Sequence, residues 1–437
     1  MIINASAHNI PLADKSVHAC VTSPPYFGLR RYEGAQDVAW PSGNYAPMTG
    51  CPPCIEVPAM DCPLGNEPTI EAFIWHLLLV FRDVRRVLRD DGVCWLNLGD
   101  SFSNEGKWGG ASGDKNYTSD GGNYVREREI HGNAQGNLLA IPHRFALAAQ
   151  ADGWTLRNDC VWHKKSAMPE SVRGWQFQGG QLRRGSWRHT RAHEFVFQLT
   201  KGMGYWSDSE IVKEVAAYDG RKNEVMKGSD KYADGFTPNQ NAQTVHARGH
   251  ERWKHRTEDG ERGRNPRSVF SPSPSPYSGA HFATFPKELI RPLILSSVPR
   301  RCCPQCGQGW AAVVDYKQAE SKDCPKYEAA HLARGGQGKP TGTVGQSGSG
   351  RVDGYSKITG HSPTCQCNRE DYTQGIVLDP FVGSGTTLEV ARECGVRAIG
   401  LDISHTYLNE QASWRGLQIA KPDFSKMPLF ADTAESQ

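Results

Sequence analysis

The sequence predicts an α/β fold in which one layered core is interrupted by two insertions. Short apolar strands alternate with amphipathic helices over residues 1–206, and the same alternation resumes over 368–437. A glycine-rich turn joins a strand to a helix near residue 383. Residues 207–268 lose the periodicity, and residues 302–367 hold clustered cysteines around a low-complexity stretch, so we expect both to be insertions.

The first predicted elements bring a serine to the end of a strand. Residues 17–21 are mostly apolar, and Pro24 and Pro25 should end that strand because proline lacks the N–H that the ladder needs. Thr69 is a good N-cap for a one-sided helix that we expect Gly92 to end, with Val93–Leu98 as the next strand. Apolar residues fall at helical spacing along it: Phe73, Ile74, Leu77, Leu78, Phe81, Val84 and Leu88.

The later elements continue the alternation. A loop over 103–137 precedes a helix expected from about Pro142 to Gly153. Strands are predicted at 154–162 and 195–199. After the insertions we expect a strand at 376–379, a helix at 386–394 ended by Gly395, and a last strand at 396–402.

Composition excludes several classes of protein. A chain of 437 residues with 38% hydrophobic residues is too long for a minimal module and apolar enough for a core. Its formal net charge of only +3 means that a nucleic acid would have to be held by a local basic patch.

Compartment is inferred from the termini and the cysteines. The first residues lack the basic and apolar regions of a secretory signal, and the longest apolar run, Leu77–Phe81, is too short to cross a bilayer. We therefore expect a cytoplasmic protein with no membrane partner. In a reducing compartment, the clustering among its 13 cysteines favours metal binding or catalysis over disulfides.

The glycine-rich turn between residues 379 and 387 predicts a cofactor site. Glycines let the backbone approach a ligand at a helix N-terminus, and ligands of open α/β sheets bind beyond the carboxyl ends of the strands. Asp402 ends the next predicted strand, where its carboxylate can accept two ribose hydroxyls. A nucleoside-containing cofactor is implied, and a purely structural turn is the alternative. The predicted contacts are Asp379, Phe381, Gly383, Ser384, Gly385, Thr386 and Asp402.

The segment Thr22-Ser23-Pro24-Pro25-Tyr26, placed ahead of the glycine turn, resembles the catalytic motif of the β-class DNA amino-methyltransferases. The resemblance covers nearly the whole chain and includes the later core strands at 162–165 and 193–197. It implies a Rossmann-like, S-adenosylmethionine-dependent core with a circularly permuted motif order, because other classes of this fold place the glycine loop first. It adds four cofactor contacts: Asn4, where the family often has Asp, and His281, Phe285 and Pro286.

The resemblance also assigns the catalytic residues as Ser23, Pro24, Pro25 and Tyr26. The Ser23 hydroxyl and the Pro24 carbonyl would accept the N–H bonds of an exocyclic amine and aim its lone pair at the sulfonium methyl, which is catalysis by positioning. Pro25 would hold that carbonyl rigidly, and Tyr26 would stack on a flipped base; a core aromatic residue is the alternative for Tyr26. Serine at the first position favours cytosine N4, with adenine N6 as the alternative.

A basic and aromatic stretch over 171–193 predicts contacts with double-stranded DNA. It contains no acidic residue, and arginines interleaved with aromatic rings suit phosphates and unstacked bases; a solvated loop is the alternative. The predicted contacts are Lys164, Lys165, Arg173, Arg183, Arg184, Trp187, Arg188 and Arg191.

The cysteines of the second insertion predict a structural zinc site. Cys303 and Cys306 form a CxxC pair, and Cys365 with Cys367 supplies a CxC pair, a four-thiolate set suited to tetrahedral Zn²⁺. Because the spacer is long, a neighbouring cysteine or histidine could replace one ligand: Cys302, Cys324, His331 or His361. A second metal at Cys51, Cys54 and Cys62 stays open.

The predicted organisation assigns 1–206 to the catalytic half of the core, 207–268 to target recognition and 269–301 to a return to the core. Residues 302–367 form a zinc-ribbon-like insertion, and 368–437 the cofactor-binding half. A homodimer and a cognate restriction endonuclease stand beside DNA as candidate partners. Methylation of RNA or of a protein amide, and a non-enzymatic zinc protein that binds DNA, are the rival functions.

Overall fold

The computed structural model describes residues 1–28, 36–103, 136–167, 176–178, 180–183, 187–215, 255–256, 262–272, 286–318, 354–404 and 408. The chain forms two compact units. The first comprises residues 1–207, 267–309 and 365–437, and the second comprises 208–266 and 310–364.

Four helices are described: α1 (Ile70–Val87), α2 (Ile141–Ala151), α3 (Lys287–Ser297) and α4 (Thr386–Glu393). The strands, in chain order, are β1 (Ile2–Asn4), β2 (Val17–Thr22), β3 (Val38–Trp40), β4 (Gly43–Tyr45), β5 (Ile55–Val57), β6 (Met60–Cys62), β7 (Leu88–Leu98), β8 (Thr155–His163), β9 (Gln176–Gln178), β10 (Gln181–Arg183), β11 (His193–Thr200), β12 (Glu214–Val215), β13 (His255–Arg256), β14 (Arg262–Arg264), β15 (Val269–Phe270), β16 (Ala311–Gln318), β17 (Gly354–Ser362), β18 (Ile376–Asp379) and β19 (Arg397–Asp402).

An eight-stranded mixed sheet forms the core of the first unit, in the order β1-β19-β18-β2-β7-β11-β8-β15. The first five strands are parallel, whereas β11 runs antiparallel to both of its neighbours. The carboxyl ends of β1, β19, β18, β2 and β7 therefore share one edge of the sheet with the start of β11. We call this the carboxyl edge, and the other the opposite edge.

Helices cover both faces of this sheet, which is why β2 is buried along its whole length. On one face α1 and α2 pack through residues such as Phe73, Phe81 and Phe145. On the other face α3 and α4 bury residues such as Leu293 and Val390. The α/β architecture predicted from the alternation of strands and helices is confirmed.

The end of α1 differs from the prediction. The helix ends at Val87, and β7 begins directly at Leu88 instead of after Gly92. The reason is that Val17 of β2 pairs with Leu88 and draws the chain into the sheet earlier. Gly92 is needed for close packing, since a Cβ there would lie 2.7 Å from the Leu88 side chain and 2.9 Å from the His18 carbonyl oxygen.

Among the described residues of the second unit, two small sheets form. The strands β12, β14 and β13 form an antiparallel three-stranded sheet, and β16 pairs with β17 in a hairpin with one register shift. In the first unit, β3 pairs with β6 and β4 with β5. Among the described helices none is long and apolar enough to span a membrane.

Candidate functional site

The carboxyl edge brings together side chains from four neighbouring strands. Asn4 of β1 lies opposite Asp402 of β19, and Asp379 of β18 pairs with Gly400 one strand further on. Thr22 ends β2, and Ser23 follows it directly. The predicted catalytic motif and the predicted glycine loop thus begin at the ends of adjacent strands.

Asp379 joins these two segments. Its Oδ1 accepts hydrogen bonds from the Thr22 hydroxyl at 2.7 Å and the Phe381 N–H at 3.1 Å, and its Oδ2 accepts from the Thr387 hydroxyl at 2.6 Å. The residue is 2% exposed, and burial raises the pKa of its carboxyl to about 6. Both oxygens are engaged within the protein, so the described role of Asp379 is to hold the loop to β2, and its contact with a cofactor stays a prediction.

The glycine loop takes a backbone path that needs glycine at two positions. Gly383 and Gly385 have φ values of +48° and +78°, in the left-handed region that side chains disfavour. Gly385 is the N-cap of α4, and Ser384 and Thr386 are buried with their hydroxyl oxygens 3.2 Å apart. The loop thereby presents its main chain at the N-terminus of a helix, a setting that favours negatively charged or polar ligand atoms.

Asp402 offers a partly buried carboxylate beside that loop. Its Oδ1 accepts the Ser404 N–H at 2.9 Å. Burial raises the pKa of the carboxyl, while the N–H groups of Ser404, Gly383 and Ile403 oppose the rise. Asn4 donates its amide hydrogens to the carbonyl oxygens of Asp402 and Ile403, each at 2.9 Å, so it stabilises the strand end. A contact between Asn4 and adenine stays a prediction.

A hydrogen-bonded network surrounds the predicted catalytic serine. The Ser23 hydroxyl lies 3.4 Å from the Tyr26 hydroxyl, which in turn donates to Oε2 of Glu194 at 2.6 Å. Nδ2 of Asn97 donates to the Tyr26 oxygen at 2.7 Å and to the same Glu194 oxygen at 2.9 Å. Lys164 forms a short ion pair with the other oxygen of Glu194. Five polar side chains from four segments therefore meet at one point.

The backbone around this network leaves little freedom. Pro24 is buried, and Ser23, Pro25 and Tyr26 are half-buried. A Cβ at Gly99 would lie 2.4 Å from Cε2 of the Tyr26 ring, so the glycine allows the ring to lie against the end of β7. The position of Tyr26 is thus fixed at both its ring and its hydroxyl.

The predicted DNA contacts separate into two groups. In the first group, Lys165 is exposed and Trp187 is 62% exposed. Arg188 stacks its guanidinium over the ring of Phe102 at 3.5 Å. By contrast, Lys164 is paired with Glu194, and Arg191, with 15% of its side chain exposed, lies 3.6 Å from the fully buried carboxylate of Asp100. Lys164 and Arg191 therefore each contact a carboxylate of the protein itself, and their predicted contact with DNA stays a prediction.

Some predicted site residues are only partly described or lie outside the described residues. Pro286 is buried as the N-cap of α3. His281, Phe285, Arg173 and Arg184 lie outside the described ranges, and Arg183 is described only as part of the backbone of β10. Their assigned roles stay predictions.

The four predicted zinc ligands come together in the first unit. The sulfur atoms of Cys303, Cys306, Cys365 and Cys367 all lie within 4.8 Å of one another. This tetrathiolate cluster lies by the opposite edge. Arg89, at the start of β7, donates to the Cys306 carbonyl at 2.7 Å, and Nε2 of His18, at the start of β2, lies 2.8 Å from the Gly307 carbonyl oxygen.

A second group of ligand types also forms, with different members from those predicted. Cys62 lies within 4.8 Å of Glu67 and His76, whereas among the described residues neither Cys51 nor Cys54 belongs to such a group. Glu67 already accepts from the His76 ring at 2.9 Å and from the Gly65 N–H at 2.8 Å. The pair therefore has an internal structural role beneath the β3–β6 ribbon.

The sequence did not indicate the roles of Thr387, Asn97 and Glu194. Thr387 follows the glycine loop at the position where its hydroxyl reaches Asp379, and a hydroxyl one residue inside a helix was the available signal. Glu194 was recognised only as part of a strand. Its location depends on β11 running antiparallel to β7, which no local pattern encodes.

A family model described as DNA methylase matches residues 17–301 and 367–413. The type II methyltransferase M.Cfr9I of Citrobacter freundii is 34% identical over 286 residues, which cover 65% of this chain and 68% of that protein. The type II methyltransferase M.XycI of Xanthomonas campestris pv. cyanopsidis is 32% identical over 292 residues, with coverage of 65% and 68%. A solved PvuII DNA methyltransferase, described as cytosine-N4-specific, aligns with a TM-score of 0.42 and 13% identity over 95% of this chain and 86% of that chain.

Proposed function

Because the chain belongs to the DNA methylase family and is an S-adenosylmethionine-dependent DNA amino-methyltransferase, we propose that it methylates the N4 amine of a cytosine flipped out of duplex DNA. The observation that carries the proposal is the position of Ser23 at the end of β2, beside the Asp379 loop and within the Tyr26 network. Serine at this position is what favours cytosine over adenine.

The described residues would act by positioning. An exocyclic amine is a poor nucleophile because its lone pair is conjugated with the ring. The Ser23 oxygen and the Pro24 carbonyl would accept its two N–H bonds and favour a pyramidal nitrogen. Tyr26 would lie against the flipped base and offset part of the few kcal/mol that unstacking costs.

The cofactor loop suits the molecule that the family uses. S-adenosylmethionine supplies a methyl group on a positively charged sulfur. The Asp402 carboxylate fits a ribose diol, and the left-handed glycines of the loop allow close approach to the main chain. Asp379 would act indirectly, by holding the loop against the strand that carries Ser23.

Duplex DNA would enter along the carboxyl edge, where Lys165 and Trp187 are exposed. The predicted recognition region at 207–268 would supply the contacts to base edges, since phosphate contacts position DNA without reading its sequence. The order of the strands supports the permuted order of the motifs. The strand before the catalytic motif, β2, comes earlier in the sequence than β18, the strand before the glycine loop, and the two strands lie side by side in the sheet.

A structural Zn²⁺ would occupy the tetrathiolate cluster. Four thiolates fill a tetrahedral shell and leave no open position for chemistry. The cluster is held to the starts of β2 and β7 through His18 and Arg89. The ion would therefore stabilise the sheet at the edge away from the reacting atoms.

The test is to incubate the full chain with duplex DNA of mixed sequence and methyl-labelled S-adenosylmethionine, then identify the nucleosides by mass spectrometry. N4-methyldeoxycytidine is expected, with Ser23→Ala as the inactive control and RNA as an alternative substrate. N6-methyldeoxyadenosine would overturn the choice of base, and label in RNA alone would overturn the substrate.

A further inference from the structure

A directional chain of hydrogen bonds leads from Ser23 to a buried carboxylate. Ser23 donates to the Tyr26 oxygen at 3.4 Å, and Tyr26 donates to Oε2 of Glu194 at 2.6 Å. Glu194 is 8% exposed, and its other oxygen pairs with Lys164. The negative charge thus lies two hydrogen bonds behind the serine that would meet the target amine.

The direction of the chain follows from the chemistry of its members. An ionised carboxylate can only accept hydrogen bonds, so the Tyr26 hydrogen must point to Glu194. Asn97 reinforces this arrangement because its Nδ2 donates both to that carboxylate and to the Tyr26 oxygen. The Tyr26 oxygen is then left as an acceptor for the Ser23 hydrogen.

The consequence falls on the lone pairs of Ser23. Once its hydrogen is directed to Tyr26, the serine oxygen presents acceptor sites and no donor toward the cleft. Nδ2 of Asn97 also lies 3.4 Å from the Ser23 oxygen, but its two hydrogens are used in the shorter bonds to Tyr26 and Glu194. The lone pairs of the Ser23 oxygen therefore remain for the N–H of a substrate amine. Charge-assisted hydrogen bonds polarise their neighbours in a buried site, which makes a neutral serine a better acceptor.

We propose that Glu194 is a positioning residue for amine methylation, which acts through Tyr26 to fix the Ser23 hydroxyl as the acceptor for the target N–H. This inference rests on the proposed function of Ser23. It explains how the neutral Ser23 hydroxyl can be held in the orientation of an acceptor.

The central test is Glu194→Gln, which keeps the shape and removes the charge. We expect kcat to fall about tenfold, because a neutral hydrogen bond replaces a charge-assisted one. The KM for DNA and the calorimetric Kd for S-adenosylmethionine should not change. Tyr26→Phe should give a comparable loss. The double variant should lose no more activity than the more impaired of the two single variants, because both substitutions break the same chain of hydrogen bonds.

A control variant and the wild-type chain make the result decisive. Asp90→Asn, which alters an exposed carboxylate paired with Lys15 and Lys201, should leave kcat unchanged. A wild-type chain that methylates no duplex would defeat the proposed function itself. An active wild type together with full kcat in Glu194→Gln, or losses that multiply in the double variant, would overturn the role of Glu194. If Glu194→Gln does not fold, full kcat in Tyr26→Phe has the same meaning.

Discussion

Thr22 and Asp379 lie 357 residues apart in the sequence, yet the Thr22 hydroxyl donates to the Asp379 carboxylate at 2.7 Å. This bond joins the strand that carries Ser23 to the loop that would hold the cofactor. The carboxyl is 2% exposed, and burial raises its pKa to about 6 despite three donors. One buried titratable group therefore couples the two halves of the site.

Asp379 should make the stability of the fold depend on pH. Its folded pKa of about 6 exceeds the ordinary value of 3.8, so the native state binds more protons than the unfolded state between these values. The free energy of unfolding should fall as pH rises through that window, by on the order of 3 kcal/mol. Asp379→Asn should abolish this contribution, which urea unfolding at pH 4 and pH 7 would measure.

The control for this experiment is Asp371→Asn. Asp371 is exposed, and Arg369 lowers the pKa of its carboxyl below the ordinary value, so this group stays ionised between pH 4 and pH 7. The Asp371→Asn variant should therefore lose as much stability between pH 4 and pH 7 as the wild type does. A wild type and an Asp379→Asn variant with parallel pH profiles would show that the buried carboxyl does not titrate in this range.

Asp402→Ala should weaken cofactor binding. The carboxylate is the group on β19 that suits two ribose hydroxyls, and charged hydrogen bonds of this kind are each worth about 1.5–3 kcal/mol. We expect the Kd for S-adenosylmethionine to rise at least about tenfold by titration calorimetry. Asp90→Asn, at the opposite edge, should bind the cofactor as the wild type does; equal affinities in all three proteins would remove the ribose contact.

The sequence predicted which segments are strands and which are helices. Strands that are buried on both faces appear as continuous apolar runs, and a helix with one buried face shows apolar residues three or four positions apart. The sequence also located Ser23 and Gly385, since proline and left-handed glycine mark their turns locally. It did not predict the Glu194 contact, because that depends on the direction and register of β11 against β7. The prediction that Gly92 ends α1 was wrong for a related reason. Gly92 lies inside β7, where a glycine is needed for close packing against Leu88, and the sequence alone does not distinguish this from a glycine that ends a helix.

Lys165 and Arg191 should behave differently when they are replaced. Lys165 is exposed, so Lys165→Gln should weaken duplex binding and reduce the slope of log K against log salt by about one. Arg191→Gln should instead destabilise the fold by about 3–5 kcal/mol, since it leaves the buried Asp100 carboxylate without its cation. Fluorescence anisotropy across a salt series and urea unfolding measure the two effects. A similar salt slope for wild type and Lys165→Gln would remove that residue from the DNA contacts.

Metal removal should act at the opposite edge. If Zn²⁺ fills the tetrathiolate cluster, protein purified without chelators should contain about one equivalent, and Cys303→Ser with Cys306→Ser should contain none. Loss of the ion should increase hydrogen exchange at the starts of β2 and β7, where His18 and Arg89 contact the carbonyl groups of Gly307 and Cys306. Cys51→Ser with Cys54→Ser is the matched control and should keep the metal. A full equivalent of zinc in the Cys303/Cys306 variant would show that the zinc is not bound by the four cysteines of the cluster.

Gly99→Ala should disturb the catalytic motif without touching the cofactor loop. The new Cβ would lie 2.4 Å from Cε2 of Tyr26, and the ring cannot withdraw freely because its hydroxyl is held by Glu194 and Asn97. The displacement should reach Ser23 through Tyr26 and lower kcat about 10- to 100-fold, in line with the cost of a misplaced reacting group. Calorimetric cofactor affinity should stay at the wild-type value. Gly204→Ala, which has no heavy atom within 4 Å of its new Cβ, should leave both quantities unchanged. Wild-type kcat in Gly99→Ala would mean that the position of the Tyr26 ring does not control turnover.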